Sequence, residues 1–71
     1  MSLSYAVIFE QAENNWAAYV PDLPGCTTCA DTVDEIRQSI KDAVDSYLDS
    51  LRDHNEPIPT PSSVVETVEA A

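Results

Sequence analysis

The 71-residue chain carries 13 acidic and 3 basic residues, for a formal net charge of -10 at pH 7, and 44% of its residues are hydrophobic. Three basic side chains cannot neutralise a run of phosphates, so the charge excludes direct nucleic-acid binding and attraction to an anionic membrane. The hydrophobic content excludes a disordered chain, and the length predicts one domain, residues 1–71, small enough that self-association is a common source of stability.

The first half of the sequence predicts three short strands. Residues 3–10 and 16–20 are rich in aromatic and β-branched side chains and flank a polar connection. This pattern is typical of an antiparallel hairpin, and the Asn residues of the connection tolerate the left-handed conformation. Pro24 and Gly25 suit the central positions of a type II turn, which would reverse the chain into a third strand over 26–30.

The central part of the sequence predicts one long helix over residues 32–54. Thr32 and Glu35 have the spacing of a capping box, in which each side chain satisfies a free backbone N–H of the first helical turn. Apolar residues then recur at steps of three and four, at Val33, Ile36, Ile40, Val44, Tyr47, Leu48 and Leu51. Because no second helix of similar length exists to cover this stripe, we expect it to lie on the sheet.

The last part of the sequence predicts a proline-rich connector followed by a short strand. Residues 57–61 contain three prolines, which end the helix, and residues 63–68 are rich in Val and Thr. A right-handed crossover would place this last strand parallel beside the first. The predicted fold class is therefore α+β: a β-β-β-α-β two-layer sandwich with a mostly antiparallel sheet and one long helix on one face.

Four blocks of the sequence resemble the HicB antitoxin family. They are Tyr5–Glu10, the block from Trp16 to Cys26 with its Pro-Asp-Leu-Pro-Gly-Cys end, Asp31–Glu35 and Pro57–Pro61. The resemblance implies a partial ribonuclease-H-like fold and a partner, a small basic HicA-like toxin that cleaves messenger RNA. Only ten residues follow Pro61, so we expect a short form without the DNA-binding module that many members of the family carry.

Charged residues on the predicted helix form a candidate partner-binding surface. Asp42, Asp45, Asp49 and Asp53 follow one another at steps of three, four and four, so they share one face away from the apolar stripe. Two interpretations stay open. The face either keeps a small protein soluble or meets a basic partner and steers its association.

No motif of the sequence indicates catalysis or a cofactor. Cys26 and Cys29 have the spacing of a metal or redox pair, but His54 is the only other soft ligand, and a structural zinc site needs four. In a strand these cysteines point to opposite faces, which predicts two separate thiols and no disulfide. His54 is expected to meet free carbonyls in the last helical turn. We therefore predict no catalytic residue, no metal and no cofactor.

These observations leave three hypotheses about function. The first is a non-enzymatic antitoxin that covers a basic toxin, and the second is a stand-alone homo-oligomeric binding module of unknown ligand with no toxin. The third and weakest is a redox or metal protein that uses the two cysteines. Under the first two we expect a homodimer or higher oligomer, formed through a strand edge or an apolar patch near Trp16 and Tyr19. The N-terminal residues show no secretory pattern, so we expect a cytoplasmic protein.

Overall fold

The computed structural model describes residues 3–71, which form a three-stranded antiparallel sheet and one long helix; residues 1 and 2 of the predicted domain lie outside this range. The elements are β1 (Ile8–Gln11), β2 (Trp16–Tyr19), β3 (Thr27–Ala30) and α1 (Val33–Asp53). The sheet order is β1-β2-β3, and Ala18 in the central strand lies opposite Phe9 on one side and Thr28 on the other. This arrangement confirms the predicted α+β class, but the first strand begins at Ile8 and not at residue 3 as predicted, so residues 3–7 lie before the sheet.

The two turns of the sheet differ in how well the sequence predicts their geometry. In the turn after β2, the Cys26 N–H donates to the Leu23 carbonyl at 3.0 Å and Gly25 has a φ of +80°, as a type II turn requires. In the loop between β1 and β2, the Ala12 N–H donates to the Asn15 carbonyl at 2.8 Å. No Asn of this loop has a positive φ, so the expected left-handed turn is not used there.

Both ends of α1 are closed by local hydrogen bonds. At the start, the Glu35 N–H donates to Thr32 Oγ1 at 3.2 Å, as the capping box predicts. The reciprocal bond differs from the prediction, because Glu35 Oε1 accepts from the Thr32 hydroxyl and not from its backbone N–H. At the end, Asn55 adopts a φ of 55° and the Glu56 N–H donates to the Leu51 carbonyl, which is a Schellman motif.

The core lies between α1 and the strands β2 and β3. Its buried side chains come from the sheet, the turn after β2 and one face of the helix: Ala18, Val20, Leu23, Cys26, Ile36, Ile40 and Leu48. The hydroxyls of Thr28 and Ser39 join β3 to α1 by a 3.0 Å hydrogen bond. The helix packs on β3 and β2 but not on β1, and Phe9 of β1, which faces the helix side, keeps 40% of its surface exposed.

The predicted last strand is not formed within this chain. Residues 56–71, all of them described, contain no strand and no helix, so the β-β-β-α-β order ends at the helix. Instead, Ser62 and Ser63 bind the side chain of Asp22 in the turn after β2. A strand forms only where a neighbouring strand satisfies its backbone groups, and this anchor holds the segment at the end of β2 instead of along the free edge of β1.

Candidate partner interface

The four predicted aspartates form a continuous acidic ridge on the solvent side of α1. Asp42, Asp45, Asp49 and Asp53 are all exposed, and they lie opposite the face that buries Ile36, Ile40 and Leu48. The ridge forms because steps of three and four residues return to the same face of a helix. We define these four residues as the acidic ridge.

The charge of the acidic ridge is only partly balanced by its neighbours. Gln38 donates to Asp42 at 3.0 Å, and Arg52 forms an ion pair with Asp49 at 3.1 Å. Asp45 and Asp53 form no ion pair with another described residue. Exposed ion pairs contribute about 0–1 kcal/mol, and carboxylates near a helix C-terminus are unfavourable. The ridge therefore presents net negative charge to solvent at some cost to the helix.

Beside the acidic ridge lies an apolar groove that sequence reasoning missed. It has a volume of about 230 Å³, and we define it by its lining residues: Leu3, Tyr5, Val7, Ile40, Lys41, Val44 and Asp45. The residues before β1 form one wall and α1 forms the other. The groove exists because the helix covers β2 and β3 and leaves the β1 side of the sheet uncovered. The sequence signal was the alternation of Leu3, Tyr5 and Val7, which are one wall of the groove.

Trp16 and Tyr19, the residues predicted to promote self-association, do not form one patch. They stand three positions apart on β2 and therefore point to opposite faces of the sheet. Trp16 is half-buried against the core under the helix. Tyr19 lies on the face that the helix leaves open, opposite Ile8 of β1 and Thr27 of β3, and 40% of its surface is exposed. Self-association through this region stays a proposal, and only Tyr19 is placed to contribute to it.

The two cysteines have different environments. Both are free thiols, with Cys26 buried in the core and Cys29 exposed on β3, as the strand geometry predicts. Burial raises the pKa of the Cys26 thiol, because the thiolate would lose its hydration. Within residues 3–71, no three His, Cys, Asp or Glu side chains lie close enough together to bind a metal ion.

His54 closes the helix, as predicted. Its ring Nδ1 lies 2.7 Å from the Ser50 carbonyl oxygen, and its backbone N–H donates to the same carbonyl at 3.2 Å. The ring thus adds a second contact to a carbonyl of the last helical turn that already accepts the His54 backbone N–H. This contact is structural and involves no nucleophile.

A further polar contact, between Asp22 and the C-terminal segment, was not predicted. Asp22 accepts hydrogen bonds from the backbone N–H groups and the hydroxyls of both Ser62 and Ser63, at 2.8–3.0 Å. These donors, first of all the Ser63 and Ser62 N–H groups, stabilise the carboxylate and lower the pKa of Asp22 to about 2. The contact joins residues forty positions apart, so no local pattern could reveal it.

No helix among residues 3–71 is both long enough and apolar enough to cross a lipid bilayer. The 21-residue α1 meets the length requirement, but its charged residues rule out a membrane-spanning role. Its apolar stripe is instead the side that packs on the sheet.

Comparisons with known proteins match nearly the whole chain. The family described as HicB-like antitoxin of bacterial toxin-antitoxin system matches residues 5–71. A UPF0150 protein of Thermoplasma acidophilum is 39% identical over 69 residues, covering 96% of this chain and 100% of that protein. A UPF0150 protein of Synechocystis is 31% identical, covering 89% of this chain and 81% of that protein. Antitoxin HicB 2 of Photorhabdus laumondii is 36% identical, covering 87% of this chain but only 45% of that protein.

Proposed function

Because the chain belongs to the HicB-like antitoxin family of bacterial toxin-antitoxin systems, we propose that it binds and neutralises a small basic toxin of the HicA type. The toxin of such a pair cleaves messenger RNA, so its RNA-binding surface must carry positive charge. The antitoxin acts by binding and needs no catalytic residue. Its action is to cover that surface and exclude RNA.

The acidic ridge is the observation that supports this proposal. Its four carboxylates point to solvent on the helix, and three of them, Asp42, Asp45 and Asp53, have no ion-pair partner among the described residues. A rigid row of like charges attracts a basic surface over about a Debye length and orients it before contact. The same row mimics the charge of a phosphate backbone, so binding of the ridge and binding of RNA would compete for one surface.

Charge reversal on the acidic ridge tests the proposal. The variant Asp49→Lys with Asp53→Lys changes the charge at the helix C-terminus, where lysine is compatible with the helix dipole. Asp45 is left unchanged because it also lines the groove. At low salt we expect association with the product of an adjacent short, basic reading frame to slow at least about tenfold. Stopped-flow or surface-based kinetics measure this rate.

A matched control separates the ridge from overall charge. Glu10→Lys with Glu13→Lys makes the same change of charge on exposed residues of the first hairpin, away from the ridge. We expect the control to retain most of the association rate. Equal rates for wild type, ridge variant and control would reject the ridge as the toxin-binding surface. Failure of the basic frame to co-purify with the chain, or to lose toxicity on co-expression, would reject the antitoxin role.

The groove favours a second candidate, a stand-alone homo-oligomeric binding module. The groove is uncovered and mostly apolar, and such a surface usually marks a site of association. This candidate predicts a homodimer or higher oligomer that forms without any toxin. It also predicts that no neighbouring basic frame is toxic when expressed alone, which growth assays measure directly.

A further inference from the structure

The C-terminal segment, residues 64–69, has the composition of a strand but pairs with no strand in the described part of the chain. Val64, Val65 and Val68 are 82%, 57% and 89% exposed, although β-branched side chains favour strands and burial. In an extended segment Val64, Glu66 and Val68 share one face. The segment therefore presents two valines and one carboxylate on the same side, with nothing packed against them.

The apolar groove has the complementary character. Its walls are apolar, from Leu3, Tyr5 and Val7 on one side and Ile40 and Val44 on the other. It lies beside β1, whose outer edge has no neighbouring strand among residues 3–71, so the backbone groups along that edge can accept another strand. A strand added there would extend the sheet at the edge of β1, which α1 does not cover.

Charge complementarity supports the same pairing. Lys41, the only lysine of the sequence, lies on the rim of the groove and forms no ion pair with another described residue. Glu66 lies between the two valines of the segment face. Asp45 lies on the same rim, so the Glu66 carboxylate is favoured only at the Lys41 side of the groove.

The exposed surface of the chain is large enough to be buried against a second copy. The chain exposes 5443 Å², whereas a compact monomer of 7.8 kDa exposes about 4,400 Å². Its radius of gyration is 13.6 Å, against about 11 Å for a compact chain of this length. The excess of exposed surface is roughly 1,000 Å². This is similar to the area that each partner buries in a standard protein–protein interface, about 800 Å². Moreover, the Asp22 anchor holds Ser62 and Ser63 at the end of β2.

We propose that residues 64–69 of one chain lie in the groove of a second copy, beside β1, and that the exchange is reciprocal. Val64 and Val68 fill the apolar groove and Glu66 pairs with Lys41 of the other copy. Reciprocal exchange creates a closed two-fold dimer with four-stranded sheets. This proposal rests on the self-association included in the proposed function, and it is independent of the toxin.

The oligomeric state tests the exchange. Sedimentation equilibrium of the full chain should give a dimer, and Val64→Asp with Val68→Asp should raise the dimer dissociation constant at least roughly a hundredfold, because two carboxylates would enter an apolar groove. The matched control, Val65→Asp with Thr67→Asp, adds the same charge to the opposite face of the segment and should remain a dimer. A monomeric full chain would reject self-association itself. A dimer unaffected by the valine substitutions would reject only the exchange.

Cross-linking identifies which chain fills the groove. Chains labelled with ¹⁵N and unlabelled chains are unfolded together, refolded and treated with a carbodiimide, which joins an amine to a contacting carboxylate. The expected product joins Lys41 to Glu66 in peptides of mixed isotope, and Glu66→Gln abolishes it. The Lys41–Asp45 pair, one helical turn apart, reports that the reagent has worked. Lys41–Glu66 products of one isotope only would show that each tail fills its own groove, and their absence would reject the pairing.

Discussion

The helix α1 and the C-terminal segment both carry strong local patterns, yet only the helix forms its predicted structure within the chain. The helix satisfies its backbone groups internally and closes both ends with neighbouring residues, Thr32 at the start and Asn55 at the end. The segment 63–68 has the composition of a strand, but a strand needs the backbone of another strand. Local sequence therefore predicts the helix directly and predicts the strand only on condition of a partner.

The largest expected effect on stability comes from truncating a buried side chain of the helix, in contrast to an exposed side chain of the C-terminal segment. Ile36→Ala removes a fully buried side chain from the helix core and should lower the free energy of unfolding by about 2–5 kcal/mol. Val68→Ala, at an 89% exposed site, should change it by less than about 0.5 kcal/mol in dilute solution. Urea denaturation measures both.

The concentration dependence of the Val68→Ala effect sharpens this contrast. If a second copy binds the C-terminal segment, the loss of stability caused by Val68→Ala should grow as the protein concentration rises. A large loss of stability from Val68→Ala at every concentration would mean that the C-terminal segment packs within its own chain, which contradicts the 89% exposure of Val68. A small cost for Ile36→Ala would contradict the packing of the helix on the sheet.

A smaller effect is expected at the end of the helix, where the segment begins. Asn55 has a left-handed φ, which is unfavourable for a β-branched side chain. Asn55→Val should lower the free energy of unfolding by about 1–2 kcal/mol, whereas Asn55→Gly should leave it unchanged or raise it slightly. Thermal denaturation monitored by circular dichroism compares the two. Equal effects of Val and Gly would show that the left-handed turn is not what ends the helix.

The smallest effect concerns the anchor between Asp22 and the segment. The pKa of Asp22 is about 2 in the folded chain against 3.8 for the free side chain. Because the folded pKa is lowered, the anchor contributes fully above pH 3.8 and is lost as the pH falls through about 2. The amide resonances of Ser62 and Ser63 should follow this titration. In Asp22→Asn, whose side chain does not titrate, they should show no such midpoint, and an ordinary midpoint near 3.8 in the wild type would contradict the anchor.

Several residues show how far sequence reasoning reaches into the candidate site. The acidic ridge was predicted in full, because helical spacing alone places four aspartates on one exposed face. The opposite environments of Cys26 and Cys29 followed from the two-residue period of a strand. The same period places Trp16 and Tyr19 on opposite faces, and self-association through a strand edge or an apolar patch near them stays a prediction. Whether the ridge binds a partner stays a prediction.

Other features depended on contacts between distant residues. Asp22 meets Ser62 and Ser63 across forty positions, and the groove arises from where α1 lies over the sheet. Neither follows from a periodic pattern, because each depends on the relative placement of elements that are separately predictable.

The amino-acid sequence by itself determined the three strands, the capped helix, the type II turn and the negative charge on one helix face. These features arise from hydrogen bonds and side-chain periods that operate within a few residues. Only the tertiary structure decided that the helix covers two strands and leaves β1 uncovered, and that Asp22 anchors the C-terminal segment. It also decided that residues 63–68 find no strand partner among the residues that the structure describes. Packing over long sequence separations controls these features, and local composition does not encode which surfaces remain uncovered.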